Sequence, residues 1–385
     1  MAARPAKRIA VFVTGAYVHR EYLDAVSGHV QIALRTARIL SEAGHDVTLV
    51  TTRADGTDRL PPDLPPQVDI AVVPHATRSW PTHKVYPGKA ARQVFQLWAL
   101  TKRRRFDILH AFGGTATGLL LCLLKRMGAP FVAFYTPIRR PPGYRRVVRN
   151  AMMKCAFRQV EHFLPVTDYV SAGWAPLAAG RPVTVLRPGI VKPISDEPGT
   201  TPRDTVLFWR NAGHANGADL AVAAFRRLAP EYPTLRFVFA VRPRDRYEGR
   251  MREFAETVPN VDVHVFPYKP PVSLQSLLSR SLFVVQPFRE LQINPQISTI
   301  ETLCAGVPVI TTDVESNREL VHSEETGLLV PPNDANALAG AMGRLLDDRT
   351  LRERLQTNCA AMTRRQWNWQ SYRQELLKAY EHAGE

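Results

Sequence analysis

Short apolar runs alternate with helical stretches along this chain, and the alternation runs once, breaks, and begins again. In the first pass the apolar runs fall at residues 8–13, 46–51, 68–73, 107–111, 131–135, 162–166 and 183–186, with helical periodicity at 28–43, 90–104 and 115–127. Strands that are apolar throughout are buried on both faces, and strands alternating with helices predict a parallel sheet covered on each side. A Pro-rich, polar stretch at 188–204 interrupts the pattern. Runs at 205–209, 235–241, 261–266, 282–286, 307–311 and 327–330, with helices at 217–229, 334–346 and 351–366, then give a second such unit. The expectation is an α/β chain of two doubly wound, Rossmann-like domains, 1–190 and 191–366. A terminal amphipathic helix, 367–385, carries Trp369, Tyr372, Leu376, Leu377 and Tyr380 at helical spacing.

The length of 385 residues suits two separate cores, and a hydrophobic fraction of 45% excludes a disordered chain. Residues 9–13 are too short for the core of a signal peptide and read as a first buried strand. The longest apolar run, 118–124, falls far short of the roughly 20 residues of a membrane span. Cys122, Cys155, Cys304 and Cys359 stand singly, away from metal-ligand spacing, as reduced cysteines of a cytoplasmic protein do. The formal charge of +15 gathers in the first half, notably at Arg139, Arg140, Arg145, Arg146 and Arg149. Interleaved with Val147, Val148, Met152 and Met153, these arginines suit either an anionic membrane surface or a phosphorylated acceptor. A solvated arginine-rich helix explains them equally well. No nucleic-acid-binding module accompanies the charge, so no nucleic-acid partner is expected.

The segment most informative about chemistry runs from Gln292 to Asp334. It reads as a turn, a short helix ending at Gly306, a buried strand and, after Thr326-Gly-Leu-Leu-Val-Pro-Pro-Asn-Asp334, a further strand. Glu301 lies one turn into that helix, where a carboxylate can accept both vicinal hydroxyls of a ribose. Gln296, Ile297, Ser298 and Thr299 form the first turn, whose amides and dipole favour a phosphate. A helix-start glutamate paired with the dipole is the plainer alternative.

These residues resemble the nucleotide-sugar motif of glycosyltransferase family 4, written E-x7-E-A-x-A-x-G-x-P-V followed by T-G-x-L-V-x-P-x-D. The resemblance implies the GT-B fold, two Rossmann-like domains facing across a cleft, with the terminal helix crossing back to the first. It implies ribose binding by Glu301 and neutralisation of the departing diphosphate by Arg210. The turn Gly213, His214, Asn216 and Gly217 follows Arg210, with His214 a further candidate cation. Tyr268, in Phe266-Pro-Tyr268, corresponds to the loop that holds the base, and Gly28 to the family's glycine-rich start. His110, in Asp107-Ile-Leu-His-Ala-Phe-Gly113, matches the D-x-x-H region and is read either as catalytic or as a core histidine. Three positions depart from the family: Ile293 replaces the first acid of the motif, Asn216 a lysine, and Thr136 a histidine that faces the donor sugar.

The resulting expectation is a metal-independent, retaining glycosyltransferase, cytoplasmic or peripheral on the inner face of a membrane, with no cofactor beyond its nucleoside-diphosphate sugar. No Asp-x-Asp pair stands in a context to hold a cation. The acceptor, a cell-envelope glycan, glycolipid or secondary metabolite, is left open. The three departures leave a non-catalytic sugar-nucleotide-binding or scaffold protein as a second reading, and a nucleotide-sugar 2-epimerase as a third.

Overall fold

A computed structural model of the chain describes residues 6–13, 16, 28–53, 64–74, 87–112, 131–135, 157–178, 180–190, 202–243, 247–266, 268–269, 271–291 and 294–381. The helix expected at 115–127, the basic segment Arg139 to Arg149, Thr136, Ile293, Cys122 and Cys155 lie outside the described residues. The chain divides into two compact units, one of residues 1–191 with 370–385 and one of residues 192–369.

The first unit contains β1 (Arg8–Val13), α1 (Gly28–Glu42), β2 (Asp46–Arg53), β3 (Asp69–Pro74), α2 (Pro87–Arg104), β4 (Ile108–Phe112), β5 (Phe131–Tyr135), β6 (His162–Phe163) and α3 (Asp168–Ala178). Its parallel sheet has the order β3-β2-β1-β4-β5-β6. The run at 183–186 forms a single bridge from Val183 to Phe163 rather than a strand. Thr184 and Leu186 donate to the carbonyls of Phe163 and Pro165, but Pro165 has no N–H with which to continue the ladder. In this core Phe157 packs edge-on against Phe163 and Trp174, which are themselves tilted against each other.

The second unit contains β7 (Thr205–Trp209), α4 (Ala218–Leu228), β8 (Arg236–Val241), α5 (Glu248–Thr257), β9 (Val261–Val265), α6 (Leu274–Ser279), β10 (Ser281–Gln286), α7 (Ile297–Cys304), β11 (Val309–Thr312), α8 (Asn317–Leu320), β12 (Gly327–Val330), α9 (Ala335–Asp347) and α10 (Arg349–Gln366). Its parallel sheet has the order β12-β11-β10-β7-β8-β9, so it repeats the topology of the first. In each sheet the winding reverses beside the first strand, between β1 and β4 and between β7 and β10. Open α/β sheets bind ligands beyond the carboxyl ends of the strands at such a point.

The final helix, α11 (Trp369–Glu381), belongs from residue 370 onward with the first unit. It begins two residues later than the sequence suggests, because Trp367 serves as the C-cap of α10. Its Tyr372, Leu376, Ala379 and Tyr380 are buried, and the Tyr372 hydroxyl lies 2.7 Å from Thr36 Oγ1 of α1.

Candidate active site

The residues around α7 form a coherent arrangement within the second unit. Trp209 ends β7 and donates from Nε1 to Thr302 Oγ1 at 3.0 Å. Arg210, the next residue, donates from Nη1 to Ser298 Oγ at 3.1 Å. Ser298 and Thr302 are one helical turn apart, so these two bonds fix α7 against the end of β7. Glu301 lies three residues beyond Ser298, on the same side of the helix, and its charge acts on Arg210. Sequence reasoning had named Arg210, Ser298 and Glu301 separately, and the fold brings them together beside the β7–β10 reversal.

The two ends of α7 are treated differently. At its C-terminus, Arg364 donates to the Cys304 carbonyl at 2.9 Å, and Arg203 to the Gly306 carbonyl at 2.8 Å. Both cations complement the negative end of the helix dipole. At its N-terminus Gln296 is the cap residue and makes no side-chain capping bond. Its side chain is fully buried, with neither amide atom partnered. The loop ahead of it is held by Glu315, which accepts from the Leu291 amide at 3.0 Å and from Asn294 Nδ2. Thr299 is turned inward and donates to Gln286 Oε1 at 2.7 Å.

Arg210 is half-buried, with Nε enclosed and unpartnered. Burial, and then the charge of Arg242, bring its guanidinium down to about 10, while Glu301 works in the opposite direction. It is therefore still a cation at neutral pH. Arg242 follows β8 as Arg210 follows β7, and it is exposed. Tyr268, beyond β9, packs edge-on against Phe266 at 5.6 Å between ring centroids, and burial pushes its phenol up to about 12 against the influence of Arg242. A single arginine thus acts electrostatically on both Arg210 and Tyr268. Sequence reasoning missed Arg242, although a cation directly after a buried apolar run was there to be read.

The turn after β7 departs from expectation. Asn216 is buried inside it, and Nδ2 donates to the Asn211 carbonyl at 2.8 Å. One of its two amide hydrogens is spent on the turn, and the side chain is enclosed there rather than presented to a phosphate. A donor-binding role for the Asn216 side chain is thereby corrected to a structural one. His214 is exposed, with Nδ1 3.3 Å from Arg289 Nη1. Arg289, also missed, pairs with both oxygens of Asp219 at 2.6 and 2.8 Å, and binds the His214 carbonyl and Asn333 Oδ1. Gly213 precedes this turn, and a side chain there would meet only Asn216 Nδ2 at 3.8 Å. Gly217 closes it with φ 67°, and a Cβ there would lie 1.9 Å from the Pro287 carbonyl oxygen.

In the first unit, Gly28 opens α1. His110 is fully buried in β4: its ring stacks on Phe112 at 4.6 Å, and Nδ1 lies 2.5 Å from the Tyr380 hydroxyl. Burial, followed by the charge of His162, brings its imidazole down to about 3. A neutral ring with no access to solvent is a packing element, which corrects the catalytic reading of His110. Among the described residues no three His, Cys, Asp or Glu side chains gather as a metal site, and no helix is long and apolar enough to cross a membrane.

Residues 194–362 match the family described as "Glycosyl transferases group 1", and residues 26–191 match "Glycosyltransferase Family 4". The chain belongs to the family 4 glycosyltransferases. It is 22% identical over 94% of its length to the phosphatidyl-myo-inositol mannosyltransferase of Mycolicibacterium smegmatis, covering 92% of that protein. The enzyme of the same name from Mycobacterium leprae is 35% identical to it over 22% of each chain. Sucrose-phosphate synthase from Thermosynechococcus elongatus shares the fold with a TM-score of 0.77 and 18% identity, over 97% of this chain and 98% of the other. The fold is GT-B, and the glycosyltransferase uses a nucleoside-diphosphate sugar as donor.

Proposed function

We propose that this glycosyltransferase works without a metal ion and with retention of anomeric configuration, moving a sugar from a nucleoside-diphosphate donor to a hydroxyl of a phosphate-bearing acceptor. In this reading the second unit binds the donor and the first the acceptor. The observation that carries it is the convergence of Arg210, Ser298 and Glu301 at the start of α7. Glu301 takes the ribose hydroxyls, a pair of charge-assisted bonds of about 1.5–3 kcal/mol each. Arg210 and the first-turn amides of α7 stabilise the departing diphosphate where a metal would otherwise be needed. The leaving phosphate itself takes the acceptor's proton, so no protein nucleophile is required.

The mannosyltransferases it resembles carry the name of a phosphorylated inositol lipid, and the net charge of +15 suits an anionic acceptor or membrane face. Peripheral attachment to anionic lipid accordingly belongs to this reading.

Calorimetric titration with UDP, GDP, ADP and dTDP, with and without magnesium, tests the donor half. One diphosphate should bind, indifferently to magnesium, and Glu301→Ala should remove that binding. Unchanged affinity in the variant would refute the ribose assignment. The anomeric configuration of the product, read by NMR on the matching nucleotide sugar with phosphatidylinositol or inositol phosphate, tests retention and acceptor class. Cosedimentation with phosphatidylserine vesicles tests membrane attachment.

A further inference from the structure

We propose that Arg242 is the second cation of the donor site, binding the diphosphate together with Arg210; this rests on the donor-site reading above. The family's second cation is a lysine where this chain has Asn216, and Asn216 is committed to its own turn. A dianion that faces one guanidinium is poorly compensated in a partly enclosed site, so a second positive group is needed from elsewhere.

The sheet supplies it. Strands β7, β8 and β9 are neighbours, with Trp209 opposite Ala240 and Val241 opposite Val265. The Arg210 amide donates to the Ala240 carbonyl at 3.2 Å, which locks the end of β7 to that of β8. Arg210, Arg242 and Tyr268 therefore leave the carboxyl edge from three successive strands, with Arg242 in the middle. A ligand lying from the Tyr268 loop to the start of α7 passes Arg242 on the way.

Two other basic groups at this edge, Arg289 and His214, are already engaged. Arg289 is neutralised by both carboxylate oxygens of Asp219, and His214 lies against that pair. Among the described residues no carboxylate forms an ion pair with Arg242. Two arginines at adjacent strand ends repel each other, and the effect of Arg242 on the guanidinium of Arg210 is that repulsion. A bound dianion turns the repulsion into joint attraction, so the arrangement is unfavourable when empty and favourable when a diphosphate is present.

The test is calorimetry on the native protein, Arg242→Gln and Arg242→Lys, using UDP, GDP, ADP and dTDP beside the corresponding monophosphates, at two salt concentrations. The native protein should prefer a diphosphate to its monophosphate. Arg242→Gln should lose about tenfold or more in diphosphate affinity, with a much smaller change for the monophosphate and a shallower salt dependence. Arg242→Lys should recover most of the loss. Because Arg242 is exposed, the variants should fold as the native chain does, with a melting temperature unchanged in Arg242→Lys and no lower in Arg242→Gln, where the repulsion of Arg210 is relieved. Undiminished diphosphate binding in Arg242→Gln would overturn the proposal, as would equal loss for diphosphate and monophosphate, which would put Arg242 elsewhere on the nucleotide. If the native protein bound none of the diphosphates, the donor site itself would fall, and this role with it.

Discussion

His110 Nδ1 and the Tyr380 hydroxyl lie 2.5 Å apart, joining positions 270 residues distant in sequence. This bond ties α11 to the middle of the first sheet, and Lys7 adds to it by donating to the Tyr380 carbonyl at 2.9 Å. Removing the hydroxyl in Tyr380→Phe should cost about 1–2 kcal/mol, because the imidazole nitrogen would be left buried without a partner. Urea unfolding at pH 7 measures it.

The same histidine gives the fold a pH dependence. Its imidazole falls from an ordinary 6.5 to about 3 in the folded chain, first by burial and then by the charge of His162. The unfolded chain therefore takes up a proton that the folded chain refuses, so this contribution is complete above pH 6.5 and is lost as pH falls from there towards 3. The slope approaches about 1.4 kcal/mol per pH unit. Urea midpoints from pH 7 to 4 should show that decline, and His110→Gln should flatten it. An equally steep decline in the variant would place the titrating group elsewhere.

Much of the fold was legible because its signals are local. Strands β5 and β7 were readable to the residue, since each run is almost wholly apolar and ends where polarity returns. Helix α3 was not, because Gly173 and Pro176 interrupt its pattern and packing around Trp174 outweighs them. In the candidate site, Glu301 and Ser298 stand in one contiguous motif, whereas Arg289 and Arg242 meet their neighbours only through residues far away in sequence. His110 looked functional because a histidine at a strand end gives no hint that a helix 270 residues later will cover it.

Gly217 should tolerate no side chain. Its φ of 67° strains any L-residue, and a Cβ would lie 1.9 Å from a backbone oxygen that cannot move without shifting the end of β10. Gly217→Ala should therefore destabilise the protein by more than about 2 kcal/mol, read as a fall in melting temperature. At Gly213, where the nearest atom is 3.8 Å away, the same substitution should cost much less.

Arg289 links three segments of the second unit: the turn of His214, the first turn of α4 through Asp219, and the loop before α9 through Asn333. A double-mutant cycle on Arg289→Gln and Asp219→Asn should give a favourable coupling of about 1–2 kcal/mol, because the pair is bidentate and Arg289 is only 15% exposed. Coupling indistinguishable from zero would reduce it to an ordinary surface pair.

In the proposed donor site Arg210 sets stability against binding. Enclosing Nε without a partner and placing the guanidinium near Arg242 both disfavour the empty site, while Ser298, Glu301 and the Phe288 ring, 5.9 Å away, compensate in part. Methionine at this position removes the enclosed, unpartnered Nε and the repulsion by Arg242, at the cost of the Ser298 bond. Arg210→Met should accordingly melt at or slightly above the native temperature in the absence of ligand. The native protein should gain about 2.7 kcal/mol with a nucleoside diphosphate at a hundred times its Kd, and the variant should gain almost none. Thermal scans with and without the diphosphate separate the two effects. A variant that loses stability while keeping the ligand-induced shift would mark Arg210 as a structural residue and remove it from the diphosphate site.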